Sequence, residues 1–486
     1  MDDHPYPADT AAAALDVGTD TGRPVVCVQG LGFVGAAMSI AIANARDNTR
    51  GDRAGGGPLY SVIGVDLPTT AGRQRTAAIN RGEMPFPGGD PQLDAALARA
   101  HEAGNLSATD DPEAFRLADI VMVDINLDID WTAPLPEVRF GPFLRAMDDL
   151  GTRLRPGALV IVETTVPPGT CERVIAPRLA MALKARGLPE GAILLAHSYE
   201  RVMPGAQYYN SIVNYWRVYA GTTPEAADAC RRFLGTVINT DAYPLTRLGS
   251  TTASETAKVL ENAYRATTIA FMEEWGRFAE AVGIDLHEIV GAIRKRPTHA
   301  NMRQPGFGVG GYCLTKDPLF GAVAARTLFD RPDLVFPFSS DAVRINNAMP
   351  LVSLDKLRER FGGVLAGRRI LLLGISYRED VGDTRHAPSQ VFVEAAEREG
   401  AVVTAHDPLV THWAELDRPV PVDLPDAGDF DAVVFAQPSD TYRRLDLAAW
   451  LEGAAVEIID ANNVLTDRQR RQLRDTGRGF TSIGRG

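Results

Sequence analysis

Short apolar runs recur along most of the chain, each bounded by polar segments or by glycine and proline. Runs of this length are typical of strands that are covered on both faces of a parallel sheet. They lie at 25–28, 61–66, 118–123, 158–162, 193–196, 370–374, 402–408, 432–435 and 457–460. Because helical segments alternate with these runs, the pattern predicts an α/β fold with two doubly wound, Rossmann-like domains.

Residues 250–282 follow a helical pattern instead and predict a long central helix that joins the two domains. Four of its polar residues recur at spacings of three, four and three, so they share one helix face. They are Glu255, Lys258, Asn262 and Arg265. Such a face is either a solvated charged surface or the polar wall of a pocket, and the helix alone favours neither. We also predict a helix over 319–325 and irregular structure over 326–337.

The composition is that of an ordinary globular protein and excludes several classes of function. A chain of 486 residues is expected to form two or three domains. Its formal net charge of -12 gives no electrostatic basis for binding nucleic acid or an anionic membrane. The four cysteines are scattered, so we expect no metal, no disulfide framework and a reducing cytoplasm. Residues 24–45 carry no charge, but glycines interrupt them, which favours a soluble strand, turn and helix over a membrane span.

The loop after the first apolar run has the spacing G-x-G-x-x-G, with a strand before it and an apolar helix after it. In that setting the glycines allow a tight turn, close approach of a pyrophosphate, and packing of helix on strand. An aspartate ends the second strand, where a carboxylate favours NAD over NADP. The residues expected to bind NAD are Gly30, Gly32, Phe33, Val34, Gly35 and Asp66. The alternative is a tight turn that binds no nucleotide.

Polar residues also follow two later strands, at the edge of a parallel sheet where ligands bind. Thr164 and Thr165 follow the run at 158–162, and they either face a ligand or cap the next helix. Glu200 and Arg201 follow the run at 193–196, and they form either part of a site or a surface ion pair.

A glycine-rich loop over 305–312 leads directly into Cys313, with Lys316 and Asp317 one helical turn beyond. Glycines let the backbone take conformations closed to other residues and approach a ligand closely. A thiol flanked by a cation and a carboxylate is what nucleophilic catalysis by cysteine requires. The alternative is a permissive loop followed by a buried, inert cysteine.

Five motifs, in this order, resemble those of the UDP-glucose/GDP-mannose dehydrogenase family, the nucleotide-sugar 6-dehydrogenases, over residues 24–485. The motifs are Gly30-x-Gly32-x-x-Gly35, Thr164-Thr165-Val166-Pro167, Glu255-x-x-Lys258-x-x-x-Asn262, Gly308-x-Gly310-Gly311-x-Cys313-x-x-Lys316-Asp317 and Asp383-Thr384-Arg385. After a tail at 1–22, whose composition predicts disorder, the resemblance implies three domains. These are an NAD-binding domain at 23–225, a central helical dimerisation region at 226–345 and a nucleotide-sugar-binding domain at 346–486. It also implies a homodimer or a higher homo-oligomer.

The resemblance further implies oxidation of the C6 alcohol of a UDP-sugar to the carboxylate, with two NAD reduced per turnover. Cys313 is expected to attack the intermediate aldehyde and to carry first a thiohemiacetal and then a thioester. Lys258 is expected to stabilise the oxyanion and Asn262 to bond the reacting oxygens. Water handling is expected of Glu200, Thr165 and Asp317, and cofactor contacts of Thr165 and Lys316. Substrate contacts are expected of Glu200, Arg201, Lys258, Asn262, Arg303, Gly310, Tyr377, Arg378 and Arg385.

Residues 200–205 resemble the UDP-N-acetylhexosamine branch, for example the UDP-N-acetyl-D-mannosamine and UDP-N-acetyl-D-glucosamine enzymes, rather than the UDP-glucose branch. The chain departs from the family in three places: Tyr199 replaces the branch's proline, Asp124-Ile125-Asn126-Leu127 replaces Val-Pro-Thr-Pro, and Arg303 is the nearest match to an arginine before the glycine loop. The aromatic segment at 206–216 either stacks on a sugar or packs internally. The alternatives are a UDP-glucose 6-dehydrogenase, a two-electron 3-hydroxyacid-type dehydrogenase, which needs no thiol, and a nucleotide-binding protein without turnover.

Overall fold

The computed structural model describes residues 22–45, 57–86, 90–131, 133, 135–203, 205–379 and 381–486. They divide into two compact units. The first unit contains the described residues up to Val259 together with Phe320–Val335, and the second contains Leu260–Leu319 and Phe336–Gly486. Apart from its last residue, the predicted disordered tail at 1–22 lies outside the described residues, as does most of the polar insertion at 47–58.

The first unit is built on an eight-stranded sheet with the strand order β10-β9-β8-β7-β4-β1-β2-β3. All neighbouring strands are parallel except β8 and β9. The strands are β1 (Val25–Gln29), β2 (Ser61–Val65), β3 (Leu106–Thr109), β4 (Ile120–Val123), β7 (Leu159–Val162), β8 (Leu194–His197), β9 (Val218–Gly221) and β10 (Thr246–Arg247), and a separate hairpin pairs β5 (Ile129–Asp130) with β6 (Glu137–Val138).

Helices cover this sheet, and two apolar clusters form its core. The helices are α1 (Phe33–Ala43), α2 (Thr70–Asn80), α3 (Pro91–Glu102), α4 (Phe140–Arg153), α5 (Ala176–Ala185), α6 (Tyr208–Val213) and α7 (Pro224–Val237). Side-chain caps fix several of their starts, since Thr69, Asp90 and Thr223 each accept a bond from a backbone N–H in the first turn. A turn of π-helix at Cys171–Ile175 precedes α5.

The predicted long helix is α8 (Thr251–Val282), and the boundary between the two units falls within it. It is followed by α9 (Leu286–Ile293) in the second unit and by α10 (Phe320–Thr327), which belongs to the first unit. Among the described residues, no helix combines the length and the apolar character needed to cross a bilayer.

The second unit has a five-stranded parallel sheet with the order β12-β11-β15-β16-β17. Its strands are β11 (Arg369–Leu373), β12 (Val402–His406), β15 (Ala432–Phe435), β16 (Glu457–Asp460) and β17 (Thr481–Ser482), and β13 (His412–Trp413) pairs with β14 (Arg418–Pro419) outside it. The helices are α11 (Pro337–Arg360), α12 (Pro388–Arg398), α13 (Asp440–Arg444), α14 (Leu447–Trp450) and α15 (Asp467–Asp475).

The mainly parallel first sheet, the parallel second sheet and the long helix confirm the predicted fold class. One local boundary was wrong, because residues 326 and 327, expected to be irregular, still belong to α10. The irregular segment that follows ends where α11 begins at Pro337, as expected. Helix α11 was not predicted from the sequence, because polar pairs and Pro350 interrupt its apolar positions.

Candidate active site

The loop after β1 has the geometry of a dinucleotide-binding turn. Gly30 has φ +95°, and a Cβ atom there would lie 2.8 Å from the carbonyl oxygen of Asp124. A Cβ atom at Gly35 would lie 1.8 Å from the carbonyl oxygen of Gly30, so α1 packs against the loop with no room for a side chain. At Gly32 nothing lies within 4 Å of an added Cβ atom. This open position, directly before the N-terminus of α1 at Phe33, fits the pyrophosphate of NAD.

Asp66 lies where the ribose of NAD is expected, but its carboxylate already has an arginine partner. It accepts bonds from the backbone N–H of Leu31 at 3.3 Å and of Leu67 at 2.8 Å. Arg75, from α2, donates to both of its oxygens at 2.7 and 3.1 Å. Arg75 was not among the cofactor-binding residues predicted from the sequence. Because it lies nine positions beyond the aspartate, no short motif connects the two.

The predicted cofactor residue Phe33 is fixed by two aromatic side chains. Its ring stacks on Phe86 with centroids 4.1 Å apart, and its carbonyl oxygen accepts a bond from the hydroxyl of Tyr208. Tyr208 is buried, so this member of the aromatic segment at 206–216 packs internally. Trp216 of the same segment is half exposed.

Glu200 and Lys258 form a buried ion pair in the first unit. The Lys258 ammonium donates to the Glu200 carbonyl oxygen at 3.0 Å and to its carboxylate at 3.2 Å. The Glu200 side chain also accepts a bond from the backbone N–H of Val202. Glu200 is therefore not part of a surface ion pair with Arg201, whose guanidinium instead donates to the hydroxyl of Tyr199 at 3.2 Å.

The polar face at the start of α8 is buried as far as Asn262, whereas Arg265 is exposed. Glu255 accepts bonds from the backbone N–H groups of Gly169 at 2.5 Å and Cys171 at 2.7 Å, and so anchors the segment that follows Thr165. Burial raises the pKa of Glu255 to about 7, although these donors oppose the shift. The solvated-face interpretation is therefore wrong for Glu255, Lys258 and Asn262.

Of the two adjacent threonines, Thr164 has a structural role in the fold. Its hydroxyl donates to the carbonyl oxygens of Val123 at 3.0 Å and Ile125 at 2.8 Å. It therefore ties the end of β7 to the end of β4 and does not cap a helix. Thr165 follows it in a half-buried position.

A cluster of acidic residues under the glycine loop was not recognised from the sequence. Arg217, directly before β9, forms an ion pair with Glu163 at the end of β7, and both side chains are almost completely buried. Asp124, directly after β4, is in hydrogen-bond contact with Glu163; the residue is partly exposed, but one of its carboxylate oxygens is buried. Burial raises the pKa of Asp124 well above its usual range, and the negative charge of Glu163 raises it further. A lone arginine directly before an apolar strand was the signal that could have revealed the cluster.

Cys313 lies in the second unit and is exposed, whereas the other three cysteines of the chain lie in the first unit and are buried. Burial raises the pKa of each buried thiol, which keeps these thiols inert. The glycines before Cys313 are required by close packing. A Cβ atom at Gly310 would lie 2.7 Å from the Cβ atom of Tyr377, and Gly311 has φ +82° with the Tyr377 ring 2.8 Å from an added Cβ atom.

The residues after Cys313 form a buried network with α8. Lys316 donates to one carboxylate oxygen of Asp317 at 2.8 Å, and Asn262 donates to the other at 2.9 Å. The backbone N–H of Asp317 donates to the Cys313 carbonyl oxygen at 2.9 Å. The network therefore brings together four predicted site residues of this unit and fixes the backbone that carries the thiol.

Three further predicted substrate residues lie in the second unit around the turn after β11. Arg385 pairs with Asp383 at 2.8 Å, and Arg378 is exposed. Burial raises the pKa of Tyr377 to about 12, with a further contribution from Asp383. Arg303 lies elsewhere in the unit, and burial together with two neighbouring arginines, Arg265 and Arg294, lowers its pKa.

Comparison with known protein families accounts for most of the chain. Three models of the UDP-glucose/GDP-mannose dehydrogenase family match: the NAD binding domain at residues 25–234, the central domain at 252–348 and the UDP binding domain at 371–467. The chain belongs to the UDP-glucose/GDP-mannose dehydrogenase family. The resemblance inferred from the five motifs is thereby confirmed. The protein is an NAD-dependent oxidoreductase of the nucleotide-sugar dehydrogenase class.

The sequence identity between this chain and individual members of the family is modest. The UDP-N-acetyl-D-mannosamine dehydrogenase of Pyrococcus horikoshii is 27% identical over 468 residues, which cover 95% of this chain and 99% of the relative. The NDP-N-acetyl-D-galactosaminuronic acid dehydrogenase of Ralstonia nicotianae is 27% identical over 398 residues, covering 78% and 82%. A solved structure of UDP-D-ManNAc dehydrogenase from Pyrococcus horikoshii superposes with a TM-score of 0.77 at 25% identity, covering 95% of this chain and 99% of that one.

Proposed function

We propose that this protein oxidises the C6 alcohol of a UDP-N-acetylhexosamine to the uronate, with UDP-N-acetyl-D-mannosamine as the first candidate substrate. The family assignment supports the reaction class and the cofactor. The mannosamine dehydrogenases among the relatives support the choice of sugar, as does the sequence at 200–205. The named galactosaminuronic acid relative also acts on an N-acetylated hexose derivative, so the acetamido group is the feature these relatives share.

The observation that carries the proposal is the exposure of Cys313 beside a buried polar network. A single hydride transfer from an alcohol needs no thiol. Oxidation to an acid is easier through a covalent intermediate, because a thiolate that adds to the aldehyde gives a thiohemiacetal that can lose a second hydride. An accessible thiol held by Asn262, Lys316 and Asp317 is what that second oxidation requires.

In the proposed reaction, separate residues stabilise the reacting oxygen and handle the water that releases the product. Lys258 stabilises the oxygen of the sugar carbon as it becomes an oxyanion, and Asn262 donates a hydrogen bond to it. When water attacks the thioester carbon, the carbon–sulfur bond breaks and Cys313 leaves as a thiolate. Glu200 accepts the proton of that water, and Thr165 and Asp317 orient the water. Bound NAD supplies the hydride acceptor, and two NAD molecules in succession accept the four electrons.

We assign cofactor binding to residues 23–225, where Gly30, Gly32, Gly35 and Asp66 form the dinucleotide turn and Lys316 contributes from outside this range. Residues 346–486 are assigned to the nucleotide sugar. There Arg378 and Arg385 suit phosphate recognition, since guanidinium groups bind phosphate in a bidentate way. The family's UDP binding domain supports this assignment.

The test is the number of NADH molecules formed per sugar, run to completion with UDP-N-acetyl-D-mannosamine, UDP-N-acetyl-D-glucosamine and UDP-glucose. We expect two NADH for one N-acetylated sugar. Two NADH for UDP-glucose alone would favour the UDP-glucose alternative. One NADH per sugar would contradict the thioester route. We expect Cys313→Ala to abolish uronate formation, while Cys230→Ala, which removes a buried thiol, serves as the matched control.

We also propose a homodimer. In the second unit, large apolar side chains are exposed along one face of α8 and follow one another after four, seven, four, three and four positions. This spacing is typical of a helix that packs against a partner. These side chains are Leu260, Tyr264, Phe271, Trp275, Phe278 and Val282. Light scattering of the purified protein tests this, with a monomer as the contradicting result. Because the proposed reaction needs Cys313 in its reduced form, we further propose that the enzyme works in a reducing compartment such as the cytoplasm.

A further inference from the structure

Tyr199 lies between the strand that ends at His197 and the two proposed site residues Glu200 and Arg201. Its side chain is 2% exposed, which makes it one of the largest fully buried side chains of the protein. Burying a tyrosine costs more free energy than burying a leucine, because the tyrosine hydroxyl needs a hydrogen-bond partner and the ring needs more space. Tyr199 also stands where relatives in the UDP-N-acetylhexosamine branch are expected to have proline, which offers neither a ring face of this size nor a hydroxyl.

Both parts of this side chain contact cations. The Lys258 ammonium lies 5.4 Å from the centre of the Tyr199 ring, and the Arg201 guanidinium carbon lies 5.6 Å from it. Both distances are within the range at which a cation is attracted by the face of an aromatic ring. The Tyr199 hydroxyl accepts a hydrogen bond from Arg201 at 3.2 Å. A second ring, that of Tyr215, lies 5.9 Å from the same guanidinium carbon.

The surroundings of Lys258 explain why the ring matters there. The ammonium has two oxygen acceptors on Glu200, but its side chain is only 8% exposed and little water reaches it. A desolvated ammonium gains more from an aromatic face than an exposed one does. His197, whose ring centre is 6.3 Å from that of Tyr199, stays uncharged because burial and the charge of Lys258 lower its pKa to about 3. The ring therefore faces the ammonium without a competing histidine cation.

We propose that Tyr199 is a positioning residue with two separable actions. Its ring face fixes the ammonium of Lys258, and its hydroxyl fixes the guanidinium of Arg201. The inference rests on the proposed function, in which Lys258 stabilises the reacting oxygen and Arg201 contacts the substrate. It predicts that the ring controls the rate of the chemical steps, whereas the hydroxyl controls substrate binding.

Two substitutions separate these actions. Tyr199→Phe keeps the ring and removes the hydroxyl, so we expect kcat within about twofold of wild type and a KM for the UDP-sugar raised about fivefold to tenfold. Tyr199→Leu removes the hydroxyl and the ring, which also contacts Arg201, so we expect an increase in KM at least as large and a fall in kcat of about tenfold or more. Arg201→Ala should raise KM as Tyr199→Phe does, and combining the two changes should add little.

Tyr60 provides a matched control in the same unit. It is a buried tyrosine whose hydroxyl bonds the hydroxyl of Thr236 at 3.0 Å and whose ring packs on Phe233. Tyr60→Phe and Tyr60→Leu therefore impose the same chemical losses on the core of this unit. We expect them to lower the melting temperature without separating kcat from KM.

The wild-type ratio of NADH to sugar is measured first and tests the proposed function separately. The Tyr199 variants are then compared with wild type in kcat, KM and melting temperature. Equal kcat for Tyr199→Phe and Tyr199→Leu would overturn the action of the ring, whether both are low or both normal. An unchanged KM in Tyr199→Phe would overturn the action of the hydroxyl. A fall in kcat for Tyr60→Leu as large as that for Tyr199→Leu would reduce Tyr199 to a packing residue.

Discussion

The two sheets of this protein begin with the same turn and then use it differently. In the first unit Gly30 has φ +95° and its N–H donates at 2.8 Å to the last residue of β2. In the second unit Gly374 has φ +93° and its N–H donates at 2.8 Å to the last residue of β12. An aspartate follows the second strand in both places, as Asp66 and as Asp407.

The difference is in what the aspartate binds. Asp407 accepts bonds from the backbone N–H groups of Ile375 at 2.9 Å and Ser376 at 3.0 Å, and from the Ser376 hydroxyl at 2.9 Å. Within the part of the chain that the structure describes, Asp66 accepts a bond from one loop N–H, that of Leu31, at 3.3 Å. The second turn therefore holds its own carboxylate with several bonds, whereas the first contacts its carboxylate more loosely, which suits a turn that approaches a nucleotide. The helix positions agree with this, since α1 begins directly after the first turn and α12 begins only at Pro388.

The largest effect should come from filling the contact between turn and helix in the first unit. Gly35→Ala would place a Cβ atom 1.8 Å from a backbone oxygen, so α1 must move away from the turn. We expect NAD binding to fall by about 100-fold or more, because we propose that the pyrophosphate binds at the N-terminus of this helix. Calorimetric titration with NAD measures this loss, and we expect the melting temperature to fall as well.

Two further glycine variants distinguish a loss of NAD binding from a general loss of stability. Gly32→Ala meets nothing within 4 Å and needs no unusual φ, so it should fold normally and still lose NAD affinity. Gly374→Ala would meet the backbone of Gln437 at 2.8 Å, so it should lower stability while NAD affinity per folded molecule stays unchanged. Normal NAD binding by Gly32→Ala would mean that the turn does not approach the cofactor.

A second pair of substitutions addresses the two aspartates. Asp407→Ala leaves several buried donors without an acceptor, so we expect a loss of about 3 kcal/mol in the free energy of unfolding. Asp66→Ala should cost less stability, and it should weaken NAD binding about tenfold or more by removing the acceptor for the ribose hydroxyls. Chemical denaturation and NAD titration of both variants measure these effects. The reverse pattern would contradict the comparison.

Much of the fold was accessible from the sequence because buried parallel strands give continuous apolar runs. All nine predicted strands are present, as is the 32-residue helix α8. The misses are elements whose pattern is weak. Strand β3 (Leu106–Thr109) mixes small polar residues with apolar ones, and α11 contains a proline. Packing against neighbouring elements, which no local pattern records, stabilises both.

The candidate site was predictable only where a motif has fixed spacing. The motifs made Cys313 and Lys258 candidates, and the resemblance at 200–205 did so for Glu200. The structure adds the ion pair of Lys258 with Glu200 and the network that holds the backbone of Cys313. Pairs that are distant in sequence, such as Glu163 with Arg217 or Asp66 with Arg75, were not accessible because nothing local links their positions. Asp124 was noticed as a departure from the family, but its burial beside Glu163 was not foreseen.

The acidic cluster under the first turn gives a pH-dependent prediction. Because the pKa of Asp124 is raised in the folded protein, its stability contribution is fully present below about pH 4, near the unfolded pKa of aspartate. It is lost as pH rises from there towards the raised pKa. Asp124→Asn removes the ionisation, so we expect it to gain stability relative to wild type by up to about 1.4 kcal/mol per pH unit in that window.

Denaturation curves of wild type and Asp124→Asn at several pH values from about 4 to about 8 measure the difference in free energy of unfolding. The difference at about pH 4, near the unfolded pKa of aspartate, serves as the reference value. Asp66→Asn is the matched control, because the same change is made at the other aspartate of this turn. A stability difference between wild type and Asp124→Asn that does not grow with pH would mean that Asp124 is ionised in the folded protein.

The smallest effect concerns Arg75, which binds both oxygens of Asp66. The arginine side chain is 26% exposed, so Arg75→Gln should lower the free energy of unfolding by less than about 1 kcal/mol. NAD affinity should change by less than about threefold, since the ribose hydroxyls and Arg75 compete for the same carboxylate. Arg73→Gln removes a neighbouring exposed pair with Asp110 and is the control. If Arg75→Gln weakened NAD binding about tenfold while Arg73→Gln did not, Arg75 would be a cofactor-binding residue, and the first turn would bind its nucleotide with an arginine as well as with its backbone.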